Sequence, residues 1–103
     1  MHFANLTPGQ DSSGKTALIL AVVNDRADII HLLVAAGADP NLADSVGLRA
    51  IHWAVKCGHH ECLRKVIDEK ADIEARDAAG RTPLSKAVTM GDMKAMHILL
   101  ESG

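Results

Sequence analysis

Asp11-Ser12-Ser13-Gly14-Lys15-Thr16-Ala17-Leu18 returns as Asp77-Ala78-Ala79-Gly80-Arg81-Thr82-Pro83-Leu84, with Asp44-Ser45-Val46-Gly47-Leu48-Arg49-Ala50-Ile51 between them. The three aspartates stand 33 residues apart at each step, and Gly14, Gly47 and Gly80 keep the same interval. So do the pairs Ala21-Val22, Ala54-Val55 and Ala87-Val88, while Leu18, Ile51 and Leu84 share one apolar slot. A fixed period of this length marks a chain assembled from copies of one supersecondary unit.

Each copy reads as a turn followed by two short helices. Asp11 and the serines after it bond back to local backbone, and Gly14 permits positive φ, which is turn chemistry. Thr16 is a good N-cap, and Leu18, Ala21 and Val22 follow at helical spacing. Asn24-Asp25 breaks that helix. A second helix is predicted with Ile29, Leu32, Leu33 and Ala36 on one stripe, closed by Gly37 as a left-handed cap. The period therefore divides a single domain over 1–103 into a lead-in at 1–10 and units at 11–43, 44–76 and 77–103, the last truncated.

Bulk composition agrees with a small packed domain. Hydrophobic residues make up 48% of the 103, enough for a core, and aromatics only 2%, which argues against a sandwich or barrel. A formal net charge of −2 gives no general attraction to nucleic acid or an anionic membrane. No stretch is long and apolar enough for membrane insertion, and two cysteines are too few for a disulfide-stapled scaffold. These features predict an intracellular setting, cytoplasmic or nuclear.

Gly14-Lys15-Thr16-Ala17-Leu18, Gly80-Arg81-Thr82-Pro83-Leu84, Ile51-His52-Trp53-Ala54 and the run from Leu32 to Asp39 resemble ankyrin repeats. The resemblance covers residues 11 to 103 and recurs in phase. It implies an all-α repeat solenoid, a stack of helix-turn-helix units joined by β-turn fingers, that binds proteins through a concave face made of fingers and inner helices. The chain departs from the pattern in places. Arg49 replaces the capping threonine of units one and three, a loss on the order of 1 kcal/mol. Lys70 replaces the helix-ending glycine, and Lys65 fills a slot that is Leu32 and Ile98 elsewhere. The last helix carries Met93, Met96, Ile98, Leu99 and Leu100, more apolar positions than one buried stripe needs. This predicts end-to-end packing or further repeats, since the terminal faces of a repeat stack need cover.

Three motifs invite a chemical reading. Gly9-Gln10-Asp11-Ser12-Ser13-Gly14-Lys15-Thr16 matches the phosphate-binding P-loop, with Lys15 on phosphate charge and Thr16 on Mg²⁺. A P-loop also needs a buried strand before its first glycine, and the segment ending at Pro8 is a poor one. The repeat already accounts for Gly14 and Thr16, so nucleotide binding at Gly9–Thr16 stands only as an alternative. Cys57, His59, His60 and Cys62 could be zinc ligands, but structural zinc sites pair two knuckles far apart in sequence. The resemblance instead places Gly58-His59 in the turn between helices, Cys62 in the core and His52 in a structural slot. Asn5-Leu6-Thr7 fits a glycosylation sequon that an intracellular protein leaves unused. Asn41 occupies a loop slot like that of asparagines hydroxylated in some ankyrin proteins, though Pro40 alters the motif.

No nucleophile pattern or isolated carboxylate pair stands out, so the expected function is non-catalytic, with no cofactor and no metal. Carried over residue by residue, the partner-binding positions are Lys15, Val46, Leu48, Trp53, Lys56, Arg76, Arg81, Lys86 and Met90. Val46 and Leu48 are apolar in a turn expected to be wet, with basic residues beside them. Asp68, Glu69, Asp72 and Glu74 fall on the outer helix and its exit. The expected partner is a protein segment with one or two apolar anchors flanked by acidic residues. An interior slice of a longer solenoid, binding nothing itself, is the structural alternative.

Overall fold

A computed structural model describes residues 15–102. Among these residues there is no strand, and the helices come in pairs: α1 (Ala17–Val23) with α2 (Ile30–Ala35), α3 (Ala50–Cys57) with α4 (His60–Asp68), and α5 (Pro83–Met90) with α6 (Met93–Ser102). A single 3₁₀ turn, Ala27–Ile29, leads into α2. Helices α1, α3 and α5 pack side by side as one layer, and α2, α4 and α6 form the second. This is the expected all-α solenoid.

The inner helices begin at the capping positions. Thr16 Oγ1 accepts the Ile19 N–H at 3.1 Å, and Thr82 Oγ1 accepts that of Ser85 at 3.2 Å. Pro83 follows Thr82 at the first helical position, where its missing N–H costs nothing. Arg49 keeps the same extended backbone without the hydroxyl. Its own N–H instead donates to His52 Nδ1 at 3.0 Å, which restores the return half of a capping box.

Helix ends follow the period as well. Asp25, Gly58 and Gly91 close the three inner helices in the left-handed region, at φ 58°, 71° and 70°. Gly37 closes α2 at φ 109°, and Lys70 takes the matching conformation after α4 at φ 73°. Asp25 and Lys70 thus hold conformations that favour glycine, in slots that Gly58 and Gly37 fill in the other units.

The core lies between the layers. Leu18, Val22, Ile51, Val55, Leu63 and Val66 are fully buried, and each such side chain contributes about 1.5–3 kcal/mol over leaving it in water. Ala21, Ala54 and Ala87, buried in register, are small enough for the inner helices to approach closely. The stripe expected on the second helix is corrected here: Leu32 is 64% exposed, and Ile30 is the buried residue instead. The Ile30 slot is fully buried in unit two as Leu63, so the register is kept; Leu32 shares its slot with the buried Ile98 but has no described unit packed in front of it.

Polar side chains bridge the units. His59 Nδ1 donates to the Val22 carbonyl at 2.8 Å, and His60 Nε2 meets the Asp92 carboxylate at 2.8 Å. Asn41 Oδ1 accepts the Asp72 N–H at 2.7 Å, and His31 Nδ1 lies 2.7 Å from Glu69 Oε2. The buried His52 is held twice: its Nδ1 accepts the Arg49 N–H, and its Nε2–H donates to the Ala75 carbonyl at 2.8 Å. Those partners require the neutral ring, and burial lowers its pKa below the usual histidine value in the same direction.

Candidate functional site

The two described fingers are organised by an aspartate each. Asp44 Oδ1 accepts the N–H groups of Val46 (3.1 Å) and Leu48 (2.9 Å), while Asp44 N–H donates to the Leu48 carbonyl at 2.9 Å. Asp77 repeats this with Ala79 and Arg81, both at 2.9 Å, and with the Arg81 carbonyl at 2.9 Å. Those Arg81 and Ala79 N–H groups, with the Lys86 ammonium, hold the Asp77 carboxyl below its ordinary pKa. The fingers touch: a Cβ on Gly47, which sits at φ 82°, would lie 2.8 Å from Ala78 Cβ.

Each aspartate spends its second oxygen on the inner helix. Trp53 Nε1 donates to Asp44 Oδ2 at 2.7 Å, and Lys86 Nζ lies 3.8 Å from Asp77 Oδ2. Trp53 and Lys86 are 33 residues apart, as are the two aspartates. One slot therefore supplies the donor that fixes the finger to its own helix. In unit one it holds Leu20, which is partly exposed and cannot donate.

The Trp53 ring is the centre of a cationic group. Lys15 Nζ stands 4.9 Å from its centroid and Lys56 Nζ 5.1 Å. Each such contact contributes about 0.5–1 kcal/mol at a surface. Lys15 lies before α1 and Lys56 on α3, so the ring joins neighbouring units. Val46 projects from the finger at 58% exposure. These four sequence-predicted residues occupy the finger and inner-helix face of units one and two.

The remaining expected positions fare differently. Leu48 is corrected: at 8% exposure it is a core residue and presents no surface. Its backbone also closes the finger onto Asp44. Lys86 is only 14% exposed, its ammonium engaged by Asp77, so it is corrected from a free surface cation to a finger brace. Arg76 is exposed and donates through Nη1 to the Gly80 carbonyl at 3.2 Å, bracing the third finger. Arg81, in the slot of Leu48, is exposed, and Met90 ends α5 half-exposed. Asp44 and Asp77 are the residues that sequence reasoning left out of the site. Their signal was present, as a donor nine residues downstream in units two and three.

The chemical motifs resolve into structural roles. Residues Gly9 to Gly14 of the P-loop match lie outside the described residues, as do finger positions Ser12 and Ser13 and the Asn5 sequon. Thr16 is buried, and its hydroxyl caps α1 as Thr82 caps α5. His59 and His60 turn to Val22 and Asp92, and the Cys62 thiol points at Asp25 Oδ1 at 3.7 Å. Among the described residues no group of three or more His, Cys, Asp or Glu could hold a metal ion. Asn41 Nδ2 reaches the Lys70 carbonyl at 3.4 Å, so its amide is part of the junction between units. No helix of the described residues is long and apolar enough to cross a membrane.

Comparison with known proteins agrees with this geometry. A family model described as ankyrin repeats, in three copies, matches residues 28–103, and a second, for a single ankyrin repeat, matches residues 13–42. The chain is similar to the B-cell lymphoma 3 protein homolog of Mus musculus, 39% identical over 93 residues, which is 86% of this chain and 21% of that protein. It is similar to inversin of Gallus gallus, 30% identical over 98 residues, covering 95% of this chain and 9% of inversin. Human ankyrin repeat domain-containing protein 63 is 35% identical over 86 residues, 80% of this chain and 23% of that protein. The chain thus spans about a fifth or less of the length of the first two. With the family model matching most of its length and its fingers and helix pairs repeating in phase, the chain belongs to the ankyrin-repeat family.

Proposed function

We propose that this chain is a non-catalytic protein-interaction module of an intracellular protein, cytoplasmic or nuclear. Its concave face of fingers and inner helices holds a partner segment with one or two apolar anchors flanked by acidic residues. Ankyrin repeats are generally protein-interaction modules, and that is the family-level support. The observation that carries the finer reading is the Trp53 ring, pinned by Asp44 and attended by the ammonium groups of Lys15 and Lys56. A rigid aromatic with cations beside it suits an apolar side chain next to a carboxylate, and hot spots favour such residues. Exposed Val46 extends the apolar part, and Arg81 and Arg76 extend the basic part.

Trp53 is the only tryptophan, so its fluorescence reports on this face directly. Peptides carrying Leu or Ile anchors are titrated in two sets, flanked by Glu or by Lys. The Glu set is expected to shift the emission saturably, and Lys56→Glu to reverse the preference. Equal response to both sets, or none, overturns the reading.

A further inference from the structure

Helix α3 has α1 packed on one side and α5 on the other, so the surface over Trp53 lies inside the stack and not at either end. The ring cannot follow a ligand. Its Nε1–H is tied to Asp44 Oδ2 at 2.7 Å, and Asp44 is itself buried and holds the Val46 and Leu48 N–H groups. Its two cationic neighbours can move. The Lys15 and Lys56 ammonium groups, 4.9 and 5.1 Å from the ring centroid, end flexible four-carbon stems. Among the described residues Lys56 has no carboxylate within ion-pair reach. A fixed ring is therefore covered by movable charges. The same slot holds Leu20 in unit one and Lys86 in unit three, so unit two alone has this arrangement.

The cover sets terms for any ligand. An apolar side chain arriving alone must push the ammonium groups off the ring and gives them nothing in exchange. A carboxylate beside that side chain offers each ammonium a contact of comparable strength, so the ring is released at little cost.

We propose that Lys15 and Lys56 are specificity-determining residues of this face: they form a latch over Trp53, opened by a segment that carries an acidic residue next to its apolar anchor. The inference rests on the reading of this face as the partner site and adds a coupling to it. Anchor and acid are recognised together, and neither reaches full effect without the other. Each contact between an ammonium and the ring corresponds to about a two- to fivefold change in affinity, and the two together to about five- to thirtyfold.

Four peptides test the latch, with Leu or Ala as anchor and Glu or Gln beside it. Affinity is read from Trp53 fluorescence and access to the ring from acrylamide quenching. In the wild type, replacing Gln by Glu is expected to help the Leu peptide about five- to thirtyfold more than the Ala peptide. The double variant Lys15→Ala/Lys56→Ala leaves the core untouched, so circular dichroism should show folded protein. Its ring should be quenched more readily without peptide. It should bind the Leu-Gln peptide about five- to thirtyfold tighter than the wild type does, and Glu should add nothing further. Independent effects of Leu and Glu in the wild type overturn the latch while leaving the face as the partner site, and so does a double variant that binds the Leu-Gln peptide no tighter. A fluorescence response to none of the four peptides overturns both.

Discussion

Val46 and Leu48 stand two residues apart in one finger, and truncating each to alanine separates surface from core within a single turn. At 8% exposure Leu48 loses almost all the transfer free energy of the deleted carbons, at about 0.8 kcal/mol per buried CH₂. Three carbons give about 2.4 kcal/mol, and incomplete collapse of the cavity brings Leu48→Ala to about 3 kcal/mol. For a domain of this size that lowers Tm by roughly 12 °C or more. Val46 is 58% exposed, so Val46→Ala should stay within about 0.5 kcal/mol. The contrast sharpens with aspartate, because Leu48→Asp sets a second carboxylate beside Asp44, itself buried, whereas Val46→Asp leaves its charge in water. Urea unfolding followed by circular dichroism measures all four variants. Equal losses at the two positions, or a tolerated Leu48→Asp, would refute the finger packing described here.

Three further outcomes follow from the geometry. Lys70→Gly should raise stability by about 0.5–1 kcal/mol in urea titrations, since Lys70 holds φ 73°, while Gly37→Lys should lower it by a similar amount. His52 has a folded pKa below its unfolded 6.5, so the unfolded state binds the proton first and stability falls as pH drops below about 6.5. Urea midpoints at pH 7.5 and 5 should show that slope in wild type and a flatter one in His52→Gln; Asp77 and Asp92, both depressed, add loss only below their unfolded value of 3.8. Cys62 is fully buried with its thiol pushed up to about 12, chiefly by burial, so iodoacetamide should label Cys57 in the native protein and reach Cys62 only after denaturation; early labelling of Cys62 would contradict the core.

The fold was legible because its determinants are local and repeated. Asp44, Gly47 and Ala54 do the same work as Asp77, Gly80 and Ala87, so one copy corroborates the other. What escaped the sequence depended on direction. Leu48 is buried and Val46 exposed, yet nothing in residue type distinguishes them, and Arg81 makes the same backbone bonds as Leu48 while facing water. Leu32 and Ile98 share a slot, yet only Ile98 has a described unit packed in front of it, and residue type carries no sign of that. The Lys15–Trp53 contact crosses two units, so local spacing gives no sign of it. Arg49 shows the reverse case: the threonine cap is missing, but His52 makes up part of it from three residues on.

The face centred on Trp53 is where a partner is expected to bind. Amide and indole chemical shifts of isotope-labelled protein, recorded while an acidic peptide selected by fluorescence is added, test it most directly. The largest saturable changes are expected on the Trp53 indole and on Lys15, Val46, Lys56 and Arg81, with α4 and α6 nearly silent. Changes centred on α4 and α6 instead, with the Trp53 indole unmoved, would contradict it.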